Sequence, residues 1–207
     1  LHLDTDNVVP FGIKKKYNID KIKTKTVNDI FEVATERTHN KNNPNRSFLI
    51  KHCQVWKNLY RRSLISDIPF IKGILFEDFP WWSVVMLKNP RVTILNLPLY
   101  YYIPNFGGIV LSAKQMRMLN SLCVGIENAF GVYRACANQY QFQMWNKKFL
   151  WAFIGYAFKK IKYLEEKSDI ETARAHFAKL YKMGAMDFPP NKSARKLRRK
   201  ILEFVGM

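Results

Sequence analysis

Acidic side chains are scarce in this chain. Its 207 residues hold 16 Asp and Glu against 34 Lys and Arg, a formal charge of +18. The excess is uneven: residues 1–90 carry 15 basic and 9 acidic side chains, residues 91–207 carry 19 and 7. Such an excess suits an anionic partner, whether nucleic acid, anionic lipid or a phosphorylated substrate, and says little about fold. Cysteine is sparse as well. Cys53, Cys123 and Cys136 are odd in number and far apart, which argues against a disulfide framework or a CxxC metal knuckle and makes a reducing compartment the default. The histidines, His2, His39, His52 and His176, share no ligand spacing, so no metal is assigned to them. Long apolar runs are missing too. The longest, Phe149 to Phe158, falls well short of the ~20 residues that span a bilayer, and no signal-peptide pattern opens the chain. The expectation is a protein that is soluble or sits on a membrane without crossing it.

What is present is apolar and aromatic: 48% of residues are hydrophobic and 14% aromatic, enough to bury a core. One stretch stands out, ILFEDFPWW from Ile74 to Trp82, in which adjacent carboxylates meet a bulky aromatic wall. Neighbours of that kind exclude water and move a carboxyl pKa. The same residues also read as a helix start, because Asp accepts orphan N–H bonds at an N-cap and Pro is tolerated in the first turn.

Around it the chain alternates short β-rich runs with helical ones. Asn7 to Ile13 reads as a short strand interrupted by Pro10, and Lys14 to Lys25, with six lysines, as a solvated loop or hairpin. Thr26 to Arg37 has Val27, Ile30, Phe31 and Ala34 at helical spacing with Thr26 as the cap. His39 to Arg46 is a polar loop. Phe48 to Ile65 fits no single period and is read as a helix running into a short strand around Val55 to Tyr60, then a helical turn at Arg61 to Ile65. Phe79 to Lys88 places Phe79, Trp82, Val85 and Met86 on one side, so a helix begins at the acids and ends at Asn89 and Pro90. Its dipole favours negative charge at that start. Val92 to Leu95 and Leu99 to Ile103 are β-rich runs bracketing Pro98.

After Ser112 the periodicity changes. Leu119, Leu122, Cys123, Ile126, Phe130, Tyr133 and Ala137 form a helical stripe about five turns long. Trp145, Phe149, Phe153 and Tyr156 mark a second helix and Ile170 to Lys182 a third, stripes that belong to a core rather than to a cofactor site. Ser193 to Phe204 puts Leu197, Ile201, Phe204 and Val205 on one face and Arg195, Lys196, Arg198, Arg199 and Lys200 around the rest. Such a basic amphipathic helix either lies on an anionic membrane surface or docks on its own domain.

Four segments taken together are familiar: VWKNLYRRSLI (Val55 to Ile65), IPFIKGILFEDFPW (Ile68 to Trp81), RVTILNLPLYYYI (Arg91 to Ile103) and GGIVLS (Gly107 to Ser112). In this order and spacing they resemble the C-terminal half of bacterial family 2 glycosyltransferases of the GT-A fold, over roughly Asp6 to Ser112. The resemblance implies an α/β fold: a partial GT-A-like mixed sheet with flanking helices over residues 1–112, the acceptor side of such a domain, followed by a helical extension over 113–207. It implies inverting transfer of a sugar from a nucleotide-sugar donor to an acceptor hydroxyl, in surface polysaccharide or lipopolysaccharide synthesis. The acceptor is then a glycan or lipid-linked.

In that family the Asp of the acid pair, here Asp78, is the general base, and Glu77 supports it. An acceptor hydroxyl is a poor nucleophile, and a carboxylate within hydrogen-bond reach takes its proton as the C–O bond forms. Trp81, Trp82, Tyr101 and Tyr102 are the candidate sugar-binding rings, with packing in the core as the alternative for Trp82. The resemblance also implies a divalent metal, Mg or Mn, for the complete enzyme, bound by a D-x-D motif in a nucleotide-binding half that this sequence largely lacks. Asp4, Thr5 and Asp6 have that pattern, but too little chain precedes them for the expected strand, so no metal ligand is assigned. The sequence departs from the family at Lys57 and Asn58, which stand in the opposite order, and at Ile103 to Asn105, where many members carry Arg or His. The expected location is the cytoplasm, with docking on the inner face of the cytoplasmic membrane through residues 193–207. The alternative is a non-catalytic basic module that binds nucleic acid or anionic membrane; nucleic acid is not favoured, because the cations are not interleaved with aromatics in a stacking motif.

Overall fold

The helical periodicity that sets in after residue 112 is carried through in the structure, a computed structural model in which residues 24–26, 53–93, 108–109 and 113–207 are described. In chain order the elements are strand β1 (Thr24–Thr26), a 3-10 turn (Val55–Lys57), helix α1 (Arg62–Ile65), α2 (Asp78–Leu87), strand β2 (Arg91–Thr93), α3 (Gln115–Cys136) and α4 (Gln139–Trp145). A π-helical segment (Asn146–Leu150) leads into α5 (Trp151–Lys160), a 3-10 turn (Ile161–Tyr163), α6 (Lys167–Lys182) and α7 (Lys192–Val205).

Helix α3 is the central post. Leu119, Leu122, Cys123, Ile126, Phe130 and Tyr133 are all buried, and α2, α5 and α6 pack against it. Helix α2 contributes Phe79, Trp81, Trp82, Val85 and Met86, so one core runs without a break from the acid-bearing segment into the helices after residue 113. Phe79 stacks on Phe153 of α5 and Trp82 tilts against Phe149 of the π segment. Ser83 is the polar node of this core. Its Oγ donates to Phe79 O at 2.9 Å and accepts from Trp145 Nε1 at 3.2 Å, while Tyr133 Oη donates to Ser83 O at 2.9 Å. Burial drives the Tyr133 phenol far up in pKa, so it stays a donor.

The ends of the helices follow from their residues. Asn138 and Gln141 form a reciprocal capping box that opens α4. Asn191 Oδ1 accepts from Ala194 N at 2.9 Å and starts α7. Gly206, at φ +85°, closes it, donating its N–H to Leu202 O and Glu203 O; only a residue without a Cβ adopts that conformation cheaply.

Several expectations are corrected. The GT-A-like mixed α/β sheet is not formed by the described residues, which are predominantly helical. Their strand content is one antiparallel ladder of three residues, Thr24 with Thr93, Lys25 with Val92 and Thr26 with Arg91. Thr26 sits in that ladder, and the remainder of the helix expected over Thr26 to Arg37 lies outside the described residues. Val55 to Tyr60 is a 3-10 turn followed by irregular chain in place of the expected strand; its branched and aromatic residues fit a pleated surface, but no partner strand among the described residues accepts them. The runs Asn7 to Ile13 and Leu99 to Ile103 lie outside the described residues. Among the described residues no helix is long and apolar enough to cross a membrane.

Candidate active site around Asp78

The chain reaches Asp78 through a strained approach. Gly73 stands at φ +82° and Phe76 at φ +60°, a conformation that costs a bulky residue on the order of 1 kcal/mol. Phe76 is held there from two sides. Its carbonyl accepts from Phe79 N at 3.2 Å, and its ring stands edge-on to Tyr156 of α5 at 5.9 Å.

Helix α2 then starts with Asp78 as its first helical residue and Glu77 in the cap position, and Glu77 makes no side-chain cap bond. Asp78 is not the N-cap that its spacing suggests. Its Oδ2 instead accepts from the Val55 amide at 3.4 Å, a long bond that reaches across to the turn opening VWKNLYRRSLI. Two of the four segments that carry the family resemblance thus meet at this carboxylate.

Asp78 is half-buried. Desolvation raises its pKa above the ordinary aspartate value, the Val55 N–H pulls it back, and the charge of Glu77 adds a further upward push. Tyr60 lies alongside. Burial pushes its phenol up to about 12, Asn58 pulls the other way, and the charges of Asp78 and Cys53 push it further up. Tyr60 Oη is buried without a hydrogen bond of good geometry among the described residues, although the side chains of Asn58 and Trp82 face it. A buried hydroxyl without a well-formed partner is uncommon. Asn58, whose role the altered Lys57 and Asn58 order left open, donates Nδ2 to Gln54 O at 3.1 Å and so pins the same turn.

The two tryptophans do not serve as an exposed sugar platform. Trp81 and Trp82 are 4% and 3% exposed. Trp81 Nε1 donates to Ile68 O at 2.8 Å, and its ring is sandwiched by Phe70, stacked at 4.8 Å, and Tyr60, edge-on at 5.1 Å. They belong to the core beneath the start of α2 and offer no face to solvent. Exposed rings around this part of the core are Phe70, Trp56 and Tyr156, the last of which touches Phe76 and carries Lys160 Nζ 4.8 Å from its centroid. Tyr156 and Tyr60 were both missed as site residues: Tyr156 falls in a core-like aromatic stripe, and Tyr60 is one of many aromatics in its segment. Tyr101 and Tyr102 lie outside the described residues.

No three His, Cys, Asp or Glu side chains converge to hold a metal ion among the described residues, and Asp4 and Asp6 lie outside them. An open groove of about 560 Å³ runs from Gly73 and Ile74 along the starts of α3 and α6, lined by Lys114, Arg117, Glu166 and Asp169 among others. It does not include Glu77 or Asp78 and lies apart from the site.

What the arrangement offers is a carboxylate made more basic by burial, fixed at a helix start, with a phenol and an amide beside it. That is the equipment of a general base. Compared with protein families, with curated proteins and with solved structures, the chain matches none.

Proposed function

We propose that this chain is the acceptor-side part of a glycosyltransferase in which Asp78 acts as general base. As the acceptor oxygen bonds to the anomeric carbon of a nucleotide-linked sugar, its proton passes to the Asp78 carboxylate and the bond to the nucleoside diphosphate breaks, with inversion at that carbon. Support comes from the order of the four sequence segments and, above all, from the half-buried carboxylate that ties two of them together. It does not come from a GT-A sheet.

Each neighbour then has a task. A carboxylate with a raised pKa is a stronger base while still ionised at neutral pH. The Val55 N–H fixes which oxygen faces the acceptor, and Glu77 keeps negative charge beside Asp78, opposing further ionisation and strengthening the base. Tyr60 stands beside Asp78 with its phenol kept protonated by burial. A divalent cation, held by the nucleotide-binding part, supplies neutralisation of the leaving diphosphate in this type of transfer. The test is nucleoside diphosphate release by the full-length protein across a panel of nucleotide-sugars, with and without glycan and lipid-linked acceptors. Acceptor-dependent release supports the proposal; its absence with every donor overturns it.

A further inference from the structure

Helix α7 has two very different faces. Ala194 and Ile201 are buried, Leu197 packs over Gly155 of α5, and the Phe204 ring stands edge-on to Phe158 and Phe177 at 5.9 and 6.4 Å. The arginines beside this seam are engaged: Arg198 donates to Met186 O and Arg174 of α6 to Phe204 O, each at 3.1 Å. The apolar stripe is therefore used up within the protein and does not insert into anything else. The opposite face carries Lys192, Arg195, Lys196, Arg199 and Lys200, all exposed. Its one carboxylate, Glu203, lies 3.8 Å from Arg199.

A second observation comes from the loop joining α6 to α7. Asn146 Nδ2 donates to Phe188 O at 2.7 Å and so fixes the loop backbone, yet the Phe188 ring is left 60% exposed. An exposed aromatic ring on the loop that leads into a cationic helix suits a surface that meets lipid headgroups.

We infer that this face of α7, together with Phe188, docks the protein on the surface of an anionic phospholipid bilayer. The docking is electrostatic, at headgroup depth, because the underside of the helix is buried. Each Lys or Arg brought to an anionic bilayer multiplies binding roughly fivefold. Nucleic acid fits less well. Phe188 is a single exposed ring and not a row on which successive bases stack, and the helix lies packed along α5 and α6 and does not project to enter a groove. The docking stands independently of the glycosyltransferase proposal, and its assay reads binding and not transfer.

The test is co-sedimentation of the full chain with phosphatidylcholine vesicles, with and without phosphatidylglycerol, at low and raised salt. Binding is expected only to the phosphatidylglycerol vesicles and falls with salt. Arg195→Gln, Lys196→Gln, Arg199→Gln and Lys200→Gln combined should weaken it on the order of a thousandfold, and Lys196→Gln with Lys200→Gln about 30-fold. Phe188→Ser should weaken it without changing the salt dependence. These positions face solvent, and circular dichroism checks that each variant is folded. Equal binding to both vesicle types, unchanged binding by the double and quadruple variants, or tighter binding to duplex DNA than to anionic vesicles at the same salt would overturn the inference.

Discussion

The Asp78 carboxylate accepts the Val55 amide at 3.4 Å, joining positions 23 residues apart. One consequence is geometric: the turn Val55–Lys57 and the start of α2 are held as one unit, so the residues of VWKNLYRRSLI and those of ILFEDFPWW act on the same small volume. The other is electrostatic. The long bond gives the ionised carboxylate one donor, and burial still leaves its pKa raised.

That raised pKa fixes the sign of a stability effect. Folded Asp78 holds its proton more tightly than the unfolded chain does, so its ionisation disfavours folding above the raised pKa, and the penalty vanishes below the ordinary aspartate value of about 3.9. Asp78→Asn keeps an oxygen for Val55 and removes the charge. At pH 7 it should melt at or above the wild-type temperature, with the difference shrinking as pH falls towards about 3. A drop of several degrees at pH 7 would mark Asp78 as a structural cap.

Tyr60 gives a second contrast between stability and function. Because Tyr60 Oη is buried without a well-formed partner among the described residues, Tyr60→Phe should leave thermal stability unchanged or slightly higher. Transfer should nonetheless fall if the hydroxyl meets the acceptor. Loss of stability by more than about 1 kcal/mol would show that the hydroxyl is bonded in the folded protein.

Ser83 makes the opposite prediction. Ser83→Ala removes the acceptor for Trp145 Nε1 deep in the core, and an orphaned buried donor costs roughly 1–3 kcal/mol. Denaturant unfolding should show that loss with an unchanged slope.

The cysteines report on packing around α3. Cys136 is exposed, Cys53 intermediate, and Cys123 fully buried with its thiol pushed up to about 12 by burial and the nearby Glu127 charge. Cys136 should react at once with a thiol reagent at pH 8 and Cys123 only on unfolding. Fast labelling of Cys123 in the native protein would contradict the helical packing.

The long helices after residue 112 were legible in the sequence because their apolar stripes show a period, but the separate helix α4 and the π-helical segment within the Trp145 to Tyr156 stripe were not. The stripe from Leu119 to Tyr133 is buried as its spacing predicts, and α2 and α7 match their expected spans within about a residue, the usual uncertainty at helix ends. What failed was inference from β propensity. Val55 to Tyr60 has strand-like residues, but a strand also needs a neighbour with open backbone groups, and that requirement is invisible in a short segment. The site divides similarly. Asp78 and Glu77 could be picked out because carboxylates are scarce beside aromatics. Trp81 and Trp82 looked like a sugar platform because composition does not say which way an indole points, and the bond from Trp81 Nε1 to Ile68 O turns it inward. Tyr60 and Tyr156 gave no signal of their own among 30 aromatic residues, counted as Tyr 10, Trp 5 and Phe 15. Their roles come from contacts made across the chain.

The most direct measurement is acceptor-dependent transfer by the full-length enzyme carrying Asp78→Asn, compared with wild type at saturating donor. General-base catalysis supplies about 10²- to 10⁴-fold, so kcat should fall by at least about a hundredfold while donor binding and the melting temperature are retained. Transfer at an undiminished rate by the folded variant would contradict the assignment of Asp78 as the base.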